Sequence, residues 1–304
     1  MVNRGPLGLL WRFWLAEAML ALMIAALLVV NILWGVPAAP FLAGLVIGRV
    51  STSRLGLVGW KPGLFFYRLT RLVARFRSIR AGRVSVLFPP GLDGSVALDA
   101  IIRAAEEERD DLARRFGFRI RRRLRIVLFP DGRELSGAFG RPVRGLALVP
   151  ANAVLLAAEA ARREGLRHEL AHLFAARWNL NPPPLFQEGL AVWLEGSARD
   201  APATAGQWSD VADLLEDRHF FSNDQVDRCY GQAGIFTGFL IRRFGWDRYR
   251  AFYRKARRSG LPRAFAKHYG MPLEVAWLRC RDESLAMARL DRRLREDDLF
   301  RLRA

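Results

Sequence analysis

Apolar and polar positions change their pattern three times along the chain. From Phe13 to Trp34 nearly every residue is apolar, with only Glu17 and Asn31 interrupting. That run of about twenty-two residues, at ~1.5 Å per residue, reaches across a hydrocarbon core of ~30 Å. A second, shorter apolar stretch follows from Val36 to Gly48, with Pro37 and Pro40 near its start. The pattern predicts a retained membrane anchor over residues 1–50, as one span or a helical hairpin. The apolar region is too long for a cleaved signal peptide ending at Val36-Pro37-Ala38-Ala39. Residues 51–82 have a different rhythm. Phe65, Leu69, Leu72, Phe76 and Ile79 recur at helical spacing while Arg68, Arg71 and Arg75 fall opposite, which predicts an amphipathic basic helix beside the membrane.

From residue 83 to 304 the pattern is that of a folded domain. Val84–Phe88 and Leu124–Phe129 are β-rich runs closed by Pro89-Pro90-Gly91 and Pro130-Asp131-Gly132. Gly145–Val149 and Ala153–Leu156 are further strand candidates. Between the first two runs a long helix is expected from about Val96 to Phe116, capped by Asp93 or Ser95. Its acidic run, Glu106, Glu107, Glu108, Asp110 and Asp111, is expected on the solvated face. Beyond residue 160 helical spacing dominates: a helix running on to Trp178, then Phe186–Leu194, Val211–Leu215, Tyr230–Phe244, Asp247–Arg257 and a charged tail from Leu273. Strands first and helices afterwards predict an α+β fold, a small mixed sheet packed on the helix that carries residues 168–172, followed by a mainly helical subdomain.

Charge and cysteine content narrow the class. The chain has 304 residues and a formal net charge of +18. Only Lys61, Lys255 and Lys267 are lysines, so the excess is arginine, and no helix-turn-helix, zinc-finger or RNP-like pattern accompanies it. Specific nucleic-acid binding is not expected. Cys229 and Cys280 give no disulfide framework and no metal cluster, and are expected as small buried residues.

The chemistry is concentrated in His168-Glu169-Leu170-Ala171-His172. Two of the chain's 4 histidines stand here one helical turn apart, so both imidazoles can reach one cation. Glu169, turned by about 100°, is placed beside a metal-bound water rather than on the metal. Pro182-Pro183-Pro184 stops the helix. The next helix can fold back as an antiparallel hairpin and bring Glu188 to the histidine face. His168, His172 and Glu188 then leave one position open, as catalytic zinc sites do. Glu195 lies seven residues further on, on nearly the same face, and is an alternative ligand displaced by about 10 Å.

With Glu188-Gly189-Leu190-Ala191 after it, the HExxH segment resembles the gluzincin metallopeptidases, the thermolysin and aminopeptidase-N group, and most of all compact bacterial peptidase MA-like domains. The likeness covers roughly Arg83 to Trp277 and includes Tyr230-Gly231-Gln232-Ala233, similar to a Y-x-Q-A/S helix of those domains. One departure is Val192, which stands one turn after Glu188 where thermolysin has an aspartate. The resemblance implies a Zn²⁺ peptidase with Glu169 as general base, Tyr230 as donor to the developing oxyanion (His219 being the second candidate), and an edge strand, here Gly145–Val149, that binds substrate backbone. A non-catalytic zinc-binding pseudopeptidase or membrane-surface scaffold is the alternative.

Location follows from charge. Between Arg49 and Arg83 the chain carries basic residues and no acidic one. Such a segment is retained on the cytoplasmic side, with residues 62–80 facing anionic lipid headgroups. The expectation is a bacterial inner-membrane protein whose catalytic domain faces the cytoplasm and meets a peptide or protein substrate.

Overall fold

The computed structural model describes residues 75–92, 97–139, 143–196, 207–222 and 225–301. Both apolar N-terminal stretches and most of the basic segment lie outside these residues. Among the described residues no helix is long and apolar enough to cross a membrane. The chain divides into two compact units, Met1–Arg75 and Phe76–Ala304, and the elements named below belong to the second.

Its sheet has five strands, β1 (Arg77–Ala81), β2 (Val84–Phe88), β3 (Leu124–Phe129), β4 (Gly145–Leu148) and β5 (Ala153–Ala157), in the order β1-β2-β3-β5-β4. The central pairs β2–β3 and β3–β5 are parallel, and both outer strands run antiparallel to their neighbours. The mixed sheet expected from the sequence is therefore present, with one more strand than expected. β1 occupies the end of the segment read above as an amphipathic helix, so Ile79 belongs to a strand, not a helical face. Gly82, with φ +49°, makes the tight turn into β2, and every residue of β1 is exposed. Without a buried face β1 has no alternation to reveal it.

Parallel strands need a crossover. Helix α1 (Leu98–Phe116) supplies it between β2 and β3, burying Ile101, Ile102, Ala105 and Leu112 in one cluster with Val86, Ile126 and Val154 of the sheet. It begins at Ala97 without a side-chain cap, and the expected caps Asp93 and Ser95 lie outside the described residues. The strand residues between these, Val127, Phe129 and Leu155, point to the other face and are also buried. A short helix, α2 (Gly132–Phe139), lies against that face with Leu135 buried. Asp131 caps it, its Oδ1 accepting from the amides of Arg133 and Glu134 at 2.9 Å each.

The rest is helical: α3 (Arg163–Ala175), α4 (Pro184–Glu195), α5 (Val211–Leu215), α6 (Asp217–Phe220), α7 (Val226–Phe244), α8 (Trp246–Tyr253), α9 (Leu261–Tyr269) and α10 (Leu273–Arg301). Helix α3 stops at Ala175, three residues short of the expected Trp178, because the chain tightens into i→i+3 bonds from Arg177 and Trp178. Asn179 then pins the turn to α8, donating to the carbonyls of Tyr253 (3.0 Å) and Ala256 (2.6 Å). Cys229 and Cys280 are free and buried.

Helices α4 and α7 pack through glycine. A Cβ on Gly189 would stand 2.5 Å from the Ala233 carbonyl oxygen, closer than any side chain allows. Glycine therefore follows Glu188 for a packing reason: it lets α4 settle on α7 at the depth that aims Glu188 at α3.

Candidate metal centre

Helices α3 and α4 form the antiparallel hairpin that the proline turn predicted, and their facing sides hold the candidate ligands. Glu188 Oε2 stands 3.4 Å from His168 Nε2 and 3.3 Å from His172 Nε2. The ligand atoms of all three residues lie within 4.8 Å of one another, and this is the group among the described residues that can hold a metal ion. Glu188 is almost entirely buried, at 5% exposure, and the histidines are half-buried. A carboxylate buried in apolar surroundings needs a cationic partner. Burial pushes the Glu188 carboxyl up, yet the neighbouring His172 and His168 outweigh it and hold it well below the usual range. Burial likewise lowers His168, but Glu188 and Glu195 overcome this and hold its proton up to about 10. Two imidazole nitrogens and a carboxylate oxygen at so small a separation are a fitting donor set for Zn²⁺, whose ordinary ligands are imidazole and carboxylate.

Glu195 is not beside Glu188 as a second ligand. It reaches the far nitrogen of the first histidine, with Oε2 2.9 Å from His168 Nδ1. Its role is to accept the Nδ1 proton and leave Nε2 facing the ligand cluster, which fixes tautomer and ring orientation. The acidic residue missing at Val192 is thus supplied two turns along α4.

Glu169 projects toward the sheet. It is 8% exposed, and burial raises its carboxyl above the usual range against the lowering influence of the two histidines. Its Oε1 occupies the place a Cβ would need on Gly145, 2.4 Å away, so the carboxylate rests directly on the backbone of β4. That strand ends the sheet, which decides for an edge over an inner structural strand, and all its residues are half-exposed.

Tyr230 is in the second turn of α7, its ring centroid 6.0 Å from that of His168 and 5.4 Å from that of Phe220. It is on the metal-centre side, half-buried among aromatic rings. His219, on α6, pairs instead with Asp213 of α5 at 2.8 Å, both of them exposed, and His268 bonds the Ala264 carbonyl at 2.8 Å within α9. Gln232, the third residue of the tyrosine segment, is fully buried and holds residues 207–209 through its amide: Ser209 N donates to Oε1 and Nε2 donates to the Gln207 carbonyl.

The acidic run of α1 departs from expectation at one position. Glu108 is fully buried and bonds both Arg163 and Arg167 of α3. The signal was in the spacing: residue 108 falls three after Ala105 and four before Leu112, both buried, so it lies on the core face whatever its charge.

No protein-family model matches the sequence, and no curated protein does. Solved structures do. The chain is similar to an M1 zinc metallopeptidase from Deinococcus radiodurans at 15% identity, covering 68% of this chain and 50% of that one with a TM-score of 0.39. An alanine variant of the same peptidase gives 16% identity and a TM-score of 0.37 at the same coverage. The chain spans about half the length of the structures it matches. An overlap this loose carries no chemistry across, so the reading rests on the site's own geometry.

Proposed function

We propose that this chain is a membrane-anchored, zinc-dependent peptidase. The observation that carries the reading is the convergence of His168 Nε2, His172 Nε2 and Glu188 Oε2 beside a buried glutamate at 169. His168, His172 and Glu188 would hold Zn²⁺, which supplies a water acidified to a pKa of ~7 and a polarised scissile carbonyl. Glu169, raised by burial, takes up a proton at its carboxylate and delivers it to the leaving amine. Glu195 holds His168 in one tautomer. Substrate backbone adds as a further strand at the outer edge of β4, which brings it over Gly145 and the Glu169 carboxylate. Tyr230, from the opposite wall, donates to the oxyanion. The anchor in residues 1–50 and the basic residues from 62 up to β1 keep the domain at an anionic cytoplasmic leaflet of a bacterial inner membrane.

Comparative proteomics of membranes from cells carrying wild-type or Glu169→Gln chain tests this reading. Peptides or proteins that accumulate only with the variant, which retains its zinc, support hydrolysis and name the substrate. Identical proteomes would favour the non-catalytic scaffold.

A further inference from the structure

We propose that Arg167 is the positioning residue of the metal centre, holding Glu195 against His168 Nδ1 by gripping α1 and α4 at once. This rests on the metal-site reading above and extends it to a residue that contacts no ligand atom.

The guanidinium uses three nitrogens on two elements. Nη1 donates to the buried Glu108 and Nη2 to Asp111 Oδ2 at 2.7 Å, both on α1. Nε donates to the Leu194 carbonyl at 2.5 Å, in the last turn of α4. That carbonyl is one of the last four of its helix and has no partner within it. A cation there also suits the negative end of the helix dipole. Leu194 immediately precedes Glu195, whose carboxylate meets His168 Nδ1 at 2.9 Å, and His168 immediately follows Arg167. The path therefore closes on itself: α1 fixes Arg167, Arg167 fixes the end of α4, and the end of α4 fixes the imidazole next to Arg167. The fork geometry is needed, because one side chain must reach a carboxylate pair and a carbonyl in different directions, which an ammonium on a flexible stem does not pre-organise. Arg163 provides the contrast. It bonds the same Glu108 from one turn earlier, but 60% of its side chain is exposed, and among the described residues its ion pairs are with Glu107 and Glu108 of α1.

The zinc dissociation constant of the purified full-length chain, read by competition with a chromophoric chelator, tests the proposal. The visible spectrum of the Co²⁺-loaded chain serves as an independent report on ligand geometry. Arg167→Met is expected to weaken zinc about tenfold and to shift the Co²⁺ bands, as is Glu195→Gln. The double variant is expected to be no weaker than either single one, because both remove the same support. Arg163→Met should leave the constant unchanged. Arg167→Lys reports the same loss if Arg167→Met does not fold. Unchanged zinc affinity in the Arg167 variants, multiplying effects in the double variant, or an equal loss in Arg163→Met would each overturn the relay while leaving the metal site standing. A wild-type chain that takes up no zinc would overturn the metal reading itself, and the relay with it.

Discussion

On the helical side of the site, Glu108 and Glu188 are buried beside arginine and histidine partners, and glycine brings backbones into contact. On the strand side, all four residues of β4 are half-exposed, the strand ends the sheet, and a bare glycine faces the Glu169 carboxylate. The contrast separates two tasks. Metal ligands must be held within a few tenths of an ångström, which packed helices can do. An extended substrate must be admitted, which only an unfilled edge can do. Changes on the helical side should therefore alter metal content and stability together, while changes on the strand side should alter turnover and leave the metal in place.

The largest expected effect is from Gly189→Ala. Its new methyl meets the Ala233 backbone carbonyl as well as the Thr237 hydroxyl, and the backbone cannot swing aside, so α4 must lift from α7, at a cost of about 3 kcal/mol. Glu188 moves with it. Urea denaturation and zinc analysis of the same preparation should show both losses; a variant that is destabilised but keeps full zinc would break the link between packing and ligand placement. Next comes Tyr230→Phe on the open side, expected to lower turnover roughly a hundredfold with zinc content unchanged. Its ring contacts with His168 and Phe220 survive the substitution, so an effect on metal content would place Tyr230 with the helical scaffold instead. Smallest is Gly145→Ala, where the obstacle is the carboxylate end of Glu169, which can swing aside. Turnover should fall on the order of tenfold through this misplacement, again at constant zinc. If turnover holds, Glu169 is not confined by β4.

Much of this division is already written in the spacing of the residues, and the parts that are not have physical reasons. His168, Glu169 and His172 declare themselves because metal binding and base catalysis demand unlike residues on a short, regular repeat. Glu188 follows from the proline turn, since a hairpin leaves few places for the returning face to go. Glu195 was readable as an acidic residue on that face, but its target was not. Helical periodicity says which side a residue takes, whereas the offset between α3 and α4 decides which histidine nitrogen Glu195 meets. Glu108 was obscured by its neighbours: five acidic residues in one short stretch suggest solvent, and the core position of one of them shows only when Ala105 and Leu112 are counted with it. Helix α2 carried a cap signature, Asp131 with Glu134 three residues later, inside a stretch that otherwise reads as a turn. β1 left no strand alternation because none of its residues is buried, and Ile79 alone joined the apolar spacing read as a helix.

The central claim is that His168, His172 and Glu188, and not Glu195, hold one zinc. Metal analysis of the full-length wild type, Glu188→Ala and Glu195→Ala chains, purified in parallel, tests it most directly. The account predicts one zinc per wild-type chain, none with Glu188→Ala, and zinc retained, more weakly bound, with Glu195→Ala. Zinc that persists in Glu188→Ala and disappears in Glu195→Ala would contradict it.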